Sequence, residues 1–231
     1  MKKIGVVSLF AISAFCVSPL FSPLKAYGSS VTMQFTGVGT NSSGGVDTYP
    51  YDFKVTPSGG GSSETLELMC ISFNQEIYLQ NPNETWTANV VTAGSLGKTD
   101  EEEAYLYSIA AANVSSNTIS GAANWADWAL GESSTLTGED SFLKSHITGL
   151  ELTDAEADLT ALSSVDLANF ANYLVYVPTS DGYSGRTNDG LPQTFIGGPP
   201  PVVPEPSSLV LFGSGLLSAA GAFYRRKRLT A

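Results

Sequence analysis

Thr65-Leu66-Glu67-Leu68-Met69-Cys70-Ile71-Ser72-Phe73 has the pattern of a β-strand that runs into a protein core. Polar and apolar residues alternate at its start, and an apolar run over residues 68–71 follows. Alternation is typical of a strand with one buried face, whereas a short apolar run is typical of a strand that is buried on both faces. We therefore predict a strand over residues 65–73 whose second half is buried.

Further strands are predicted on both sides of this segment. Turn-forming residues separate them, including Asn41-Ser42-Ser43-Gly44-Gly45 and Asn81-Pro82-Asn83. Short turns of this kind join antiparallel neighbours, so a mostly antiparallel arrangement is expected. The predicted strands before the helical region are residues 31–37, 49–55, 76–79 and 85–92.

Helical periodicity replaces the strand pattern after residue 99, where apolar residues recur at helical spacing. Asp100 with Glu103, and Thr153 with Glu156, have the spacing of capping boxes, which predicts that helices start at these points. A fourth helix is predicted to start at Asp166. The first three predicted helices are residues 101–113, 121–131 and 153–162.

Two closing strands are predicted after the helices, over residues 175–177 and 194–196. The order of segments predicts an α+β fold, with a mostly antiparallel β part at both ends and a helical insertion between them. Residues 29–197 are long enough to form one domain with a sizeable core, and we assign them to a single exported ectodomain.

Two features of the helical region have structural explanations. Asp100-Glu101-Glu102-Glu103 places carboxylates at a predicted helix N-terminus, where they interact favourably with the helix dipole. Trp125 and Trp128 lie three residues apart on one helix face. Core packing is predicted for this pair, and an aromatic platform that binds a glycan is the alternative.

Cys70 is the only cysteine that remains once a signal peptide containing Cys16 is removed, so it has no intramolecular partner. Three roles are open for it: a buried inert thiol, an intermolecular disulfide, or an internal thioester with a glutamine side chain. In a thioester, the sulfur has attacked the glutamine amide and expelled ammonia. The product is a stored electrophile that can acylate a nucleophile on a target.

Three segments of the ectodomain resemble the thioester domains of bacterial surface adhesins. Met69-Cys70-Ile71 resembles their hydrophobic-Cys-Ile strand, and Ala123-Asn124-Trp125-Ala126-Asp127-Trp128 resembles their central Gln-x-Ala-Ile-Trp helix. Leu191-Pro192-Gln193-Thr194-Phe195 occupies the place of their closing strand. The resemblance spans residues 66–197 and implies a thioester-domain-like fold with a bond between Cys70 and Gln193.

The sequence also departs from that family at two positions. Asn124 replaces the central glutamine, and Asp127 replaces an apolar residue. A chain that keeps the fold but forms no bond is therefore the alternative that the resemblance leaves open.

Residues 1–28 have the three parts of a signal peptide. Two lysines follow Met1, residues 4–21 are apolar, and Ala26-Tyr27-Gly28 offers a small-x-small cleavage site. We expect cleavage after Gly28, with cleavage after Ala26 as the alternative. Prolines interrupt the apolar run, so an N-terminal membrane anchor is disfavoured.

The C-terminal segment also has three parts. Residues 198–206 form a proline-rich linker that ends in Pro204, Glu205 and Pro206. Ser207 to Tyr224 gives an 18-residue, mostly apolar span, just long enough to cross a bilayer as a helix. By the positive-inside rule, the basic residues after it stop the helix on the cytoplasmic side. These residues are Arg225, Arg226, Lys227 and Arg228, and residues 207–231 are predicted as a transmembrane helix with a basic tail.

This three-part order resembles the PEP-CTERM sorting tail, which an exosortase recognises. An exosortase is a membrane cysteine peptidase-transpeptidase of Gram-negative bacteria that produce exopolysaccharide. The resemblance implies an exported chain that is tethered in the inner membrane until it is processed near residues 204–206. It further implies delivery to the cell surface or the extracellular matrix, with exosortase and the membrane as partners.

Charge is distributed unevenly along the chain, whose formal net charge is −11. Residues 29–204 contain four basic and 21 acidic residues, which gives this part a net charge of −17. Such a surface repels phosphate backbones, so nucleic acid is excluded as a partner.

The sequence carries no motif typical of a catalytic or cofactor site. His146 is the only histidine, predicted as an exposed turn residue, and the Gly-x-Ser-x-Gly motif that would support a Ser-His-Asp triad is absent. One histidine and one cysteine do not make a usual zinc site, and no calcium-binding loop pattern occurs, so we predict neither a metal nor a cofactor.

We therefore predict a non-enzymatic surface or matrix protein. Its expected targets are a surface amine or hydroxyl, captured through the thioester, or extracellular polysaccharide. The alternative is an exported hydrolase that acts on matrix polysaccharide through a pair of carboxyl groups.

Overall fold

The computed structural model describes residues 30–74, 85–133, 135–179 and 192–199. The strands are β1 (Ser30–Val38), β2 (Ser42–Ser43), β3 (Val46–Asp47), β4 (Tyr51–Pro57), β5 (Glu64–Cys70), β6 (Thr85–Thr92), β7 (Leu174–Pro178) and β8 (Phe195–Gly197). The helices are α1 (Ala93–Leu96), α2 (Lys98–Ala112), α3 (Asn117–Glu132), α4 (Leu136–His146) and α5 (Gly149–Ala161).

Six of the described strands form a closed barrel in the order β1-β4-β5-β8-β7-β6. Every neighbouring pair is antiparallel, and all five helices lie between β6 and β7 along the chain. The predicted mixture of antiparallel strands and a helical insertion is therefore confirmed. The closure of the strands into a barrel was not predicted.

An aromatic cluster fills the interior of the barrel. Phe53 lies at its centre, with ring centroids 5.5 Å from Phe35, 5.6 Å from Trp86 and 4.6 Å from Phe195. All four side chains are almost completely excluded from solvent. Tilted and edge-on contacts of this kind are worth about 0.5–1.5 kcal/mol each beyond the burial of apolar area, so the cluster ties together strands that are distant in sequence.

The hairpin of β2 and β3 positions the central helix, α3. Gly44 and Gly45 form its turn with φ of 58° and 82°, which matches the positive φ that two-residue hairpin turns require. Beside the turn, Ser43 Oγ accepts a 2.8 Å hydrogen bond from Trp125 Nε1. The indole and the hairpin therefore fix each other's position.

α3 is the most deeply buried helix among those described. The side chain of Ser116 accepts a hydrogen bond from the Ile119 amide and caps the helix, and every residue from 120 to 129 is buried. Trp125 and Trp128 are 0% and 3% exposed, and Phe73 packs against both rings. The predicted core role of the two tryptophans is confirmed.

The two predicted capping boxes are wrong. α2 begins at Lys98, so Asp100 lies within the first turn and not at the N-cap. α5 begins at Gly149, which leaves Thr153 inside the helix, where its hydroxyl donates to the Gly149 carbonyl at 3.1 Å. Threonine satisfies its hydroxyl in this way inside helices, so its spacing from a glutamate does not by itself mark a start.

Two further helix predictions are corrected. The helix predicted from Asp166 is only a short 3₁₀ turn over Leu167–Asn169, because the chain must extend by Leu174 to pair with β6 and β8. The structure adds α4, whose last residue is His146. The exposure predicted for this histidine is confirmed, but its placement in a turn is wrong.

The other strand predictions on described residues are confirmed within a few positions. The strand predicted over residues 65–73 ends at Cys70 in the structure. Several predictions lie outside the described residues: the strand at 76–79, the turn at 81–83, the signal peptide at 1–28, and the sorting motif and transmembrane helix at 204–231. Within the described ranges, no helix is long and apolar enough to span a bilayer.

Candidate functional site

Cys70 ends β5 and is completely buried, with its backbone paired to Phe195 of β8. Its sulfur lies 3.5 Å from the carbonyl oxygen of Ser72. Burial, opposed by hydrogen bonding to the Ser72 backbone and reinforced by the negative charge of Asp127, raises the pKa of the thiol from 9.0 to about 12. The thiol therefore remains protonated at neutral pH.

Gln193 is brought next to Cys70 by the pairing of β5 with β8. The backbone pairing ends at Cys70 and Phe195, and two further hydrogen bonds join the segments beyond it. The Ile71 amide donates to the Thr194 carbonyl at 3.0 Å, and the Thr194 amide donates to Ser72 Oγ at 3.3 Å. Gln193 comes directly before Thr194 and lies two residues from Phe195, the strand partner of Cys70. In a regular antiparallel ladder, residues at such diagonal positions are about 7–8 Å apart, within reach of a long side chain.

Gln193 is itself 9% exposed. The two residues that the sequence predicts as the thioester pair thus lie on adjacent segments of the chain in the protein interior. The bond between them stays a prediction.

The middle of α3 holds the end of β5. Asn124 Nδ2 and Trp128 Nε1 both donate to the carbonyl oxygen of Cys70, at 3.0 and 2.9 Å. Asn124 Oδ1 accepts a 3.0 Å hydrogen bond from the Tyr49 amide. One buried side chain therefore ties Tyr49, two residues before β4, to the end of β5, beside the candidate site.

Two buried acids near this site were not predicted. Glu103 of α2 and Asp127 of α3 are 6% and 0% exposed. The sequence does contain a signal for Glu103, since it falls on the same helical stripe as Leu106, Tyr107 and Ala110, which are buried. Glu103 also belongs to the acidic run at residues 100–103, and carboxylates at a helix N-terminus are usually exposed groups that interact with the helix dipole. Its burial was therefore not predicted from the sequence.

Burial is the first cause of the unusual protonation of both acids. It raises the pKa of Glu103 from 4.5 to about 8, with further contributions from the neighbouring carboxyl groups of Asp100 and Glu102. It also raises the pKa of Asp127 well above its ordinary value, and the negative charges of Glu103 and Asp100 act in the same direction. The end of β5 therefore faces a pair of carboxyl groups that favour the protonated form.

His146 belongs to an aromatic cluster outside the candidate site. Its ring stacks on Trp125 at a centroid distance of 5.1 Å, and its Nδ1 lies 2.8 Å from the carbonyl oxygen of Phe142. In the part of the chain that the structure describes, no group of three or more His, Cys, Asp or Glu side chains could hold a metal ion.

Comparison with known proteins identifies the C-terminal segment. Residues 202–228 match the family of the PEP-CTERM protein-sorting motif. The chain carries an exosortase sorting tail. The tail indicates an exported protein that is directed to the cell surface, and it includes the predicted sorting residues 204–206 and the membrane-stop residues 225–228. No curated protein matches the chain.

Proposed function

We propose that the ectodomain of this PEP-CTERM protein is a non-enzymatic surface or matrix module that captures a target covalently through a thioester between Cys70 and Gln193. The observation that supports the proposal is the pairing of β5 with β8, in which the strand partner of the buried Cys70 is Phe195, two residues after the buried Gln193. The sorting tail supports it, because a protein at the cell surface meets targets that a cytoplasmic protein does not.

The chemistry needs only these two side chains and a nucleophile. To form the bond, Cys70 Sγ attacks Cδ of Gln193, the carbon–nitrogen bond breaks, and the nitrogen leaves as ammonia. To capture a target, an amine nitrogen attacks the same carbon, the carbon–sulfur bond breaks, and the sulfur leaves as a thiol. The target ends amide-linked to the ectodomain, and because the thioester is consumed there is no turnover.

Burial favours storage of the electrophile. Cys70 and Gln193 are both shielded from bulk water, which would otherwise hydrolyse a thioester. The donors on α3 hold the Cys70 carbonyl oxygen and so restrict the backbone that carries the sulfur. Preorganised geometry of this kind favours an intramolecular reaction over attack by water.

The test is the intact mass of the purified full-length chain before and after incubation with methylamine. We expect a mass that is short by one ammonia, and then a gain of one methylamine. Cys70→Ala and Gln193→Glu should abolish the gain. Gln34→Glu, the same chemical change on β1, should leave it intact.

A chain with no mass deficit, whose Cys70 is alkylated only after unfolding, would contradict capture. Cys70 would then be an inert buried thiol, and the ectodomain would serve the matrix through non-covalent contacts alone.

A further inference from the structure

Asp127 is an ionisable group in the core that has no polar partner in the described part of the fold. It is 0% exposed, and among the described residues neither of its carboxyl oxygens has a hydrogen-bond partner. Leaving a buried carboxylate unpaired costs several kcal/mol, so such groups are rare unless they serve a purpose. Asp127 also stands alone as an acid in an otherwise apolar or amide-bearing stretch of α3, residues 121–130.

Asp127 lies on the part of α3 that holds the end of β5. It lies one helical turn after Asn124 and directly before Trp128, the two residues whose side chains hold the Cys70 carbonyl at 3.0 and 2.9 Å. In its ionised form, Asp127 also raises the pKa of the Cys70 thiol, so the two groups lie close enough for this charge to act. Both residues are completely buried.

We propose that Asp127 transfers the proton in the chemistry of the Cys70–Gln193 thioester, an inference that rests on the proposed function. When the bond forms, one proton must leave Sγ and one must reach the departing nitrogen of Gln193. When an amine is captured, one proton must leave the amine nitrogen and one must reach Sγ. In both directions Asp127 accepts a proton from one atom and donates a proton to the other, so it ends unchanged.

The properties of the thiol explain why a relay is needed. A thiol with a pKa of about 12 yields almost no thiolate at neutral pH, and the sulfur is completely buried. An adjacent carboxyl group removes this barrier, as general acid–base catalysts do when they lie beside the reacting atoms.

The surroundings tune this carboxyl group towards the acid form. Glu103 and Asp100 face it from α2, Cys70 faces it from β5, and the charges of both acids raise its pKa. The other helices that pack on α3 also carry titratable side chains, which are Glu139 and His146 on α4 and Glu151 on α5.

The test measures the rate of methylamine capture by the full-length chain as a function of pH, corrected for the fraction of amine in its free-base form. A wild-type chain should capture amine more slowly as the pH rises through the pKa of Asp127, because the acid that protonates Sγ is lost. Asp127→Asn should react more slowly, by a factor on the order of 10², and should lose this dependence. Asp140 is an exposed carboxyl group on α4, so Asp140→Asn is the matched control. It should change neither the rate of capture nor its pH dependence.

Glu103→Gln supplies an independent readout, because it removes a neighbouring charge without touching the proposed relay. It should move the fall in rate to lower pH, an effect that a purely structural role of Asp127 does not predict. If Asp127→Asn does not fold or does not form the thioester, Glu103→Gln provides the test. An unchanged pH profile of the Glu103→Gln chain would overturn the proton relay.

The thioester and the proton relay through Asp127 can be refuted separately. A wild-type chain that captures no methylamine overturns the thioester and the relay with it. A wild-type chain that does capture amine, together with an Asp127→Asn chain of equal rate and equal pH profile, overturns the relay and leaves the thioester standing.

Discussion

Replacing Asn124 by alanine tests whether the buried amide bridge on α3 stabilises the fold. The side chain is fully buried, accepts from the Tyr49 amide and donates to the Cys70 carbonyl, each at 3.0 Å. Alanine leaves the Tyr49 amide without a partner, which costs about 2 kcal/mol. The Cys70 carbonyl keeps its bond from Trp128, so losing the second bond costs only about 1 kcal/mol more. We expect a total loss of about 3 kcal/mol.

Asn117 provides a matched control on the same helix. Its side chain also makes two hydrogen bonds to backbone groups, accepting from the Ser42 amide and donating to the Ser42 carbonyl, both at 2.8 Å, but at the protein surface. Water replaces these bonds when Asn117 becomes alanine, so we expect a loss below about 1 kcal/mol.

Equilibrium urea unfolding, followed by tryptophan fluorescence, measures both changes. With a slope near 2 kcal/mol per molar urea, Asn124→Ala should lower the midpoint by about 1.5 M. If its midpoint shift is no larger than that of Asn117→Ala, the amide bridge does not stabilise the fold and the reasoning from burial is wrong.

Two further predictions concern stability. The fold favours the acid form of Glu103, so the stability that this group supports is complete below its ordinary pKa of 4.5 and is lost as the pH rises towards about 8. Glu103→Gln should flatten this decline in a series of urea titrations across that range. Gly44→Ala should lower the melting temperature more than Gly45→Ala. Both positions have positive φ, but only a Cβ at Gly44 would meet Trp125, at 2.7 Å; equal melting temperatures would exclude that clash.

Local pattern predicted the individual strands because a strand's period of two residues depends only on its own sequence. β1 and β6 fall within a residue or two of the predicted positions. The barrel could not be predicted in the same way, since its closure depends on β1 pairing with β6 and on β5 pairing with β8 more than 120 residues later. Nothing in the sequence of one strand specifies a distant partner.

Helix starts were harder to predict because several residues can cap a helix. α3 is capped by Ser116, and α4 by Thr135, whose side chain accepts from the Gly138 amide. The two glutamate-containing pairs that suggested capping boxes lie inside their helices. A capping pair is a local signal, whereas the start of a helix also depends on which residues the rest of the fold can bury.

The candidate site was predicted in part. The resemblance to thioester domains predicted Cys70 and Gln193 as the bonded pair. In the structure the two residues lie on adjacent segments of the chain. Asp127 was noted only as a departure from the family pattern. A lone acid between Trp125 and Trp128 was nevertheless a signal, because the tryptophans were already predicted to be buried, and an acid between two buried positions of a buried helix has little access to solvent.

The two departures from the thioester-domain pattern have different physical consequences. Asn124 keeps the amide group of the glutamine that it replaces, and one amide suffices to bridge the Tyr49 amide and the Cys70 carbonyl. That substitution therefore leaves the support of β5 in place. Asp127 instead adds an ionisable group where the family has an apolar one, and the fold offers this group no compensating partner among the described residues. The reaction that we propose for Cys70, the only cysteine of the ectodomain, would give this buried acid a role that packing does not.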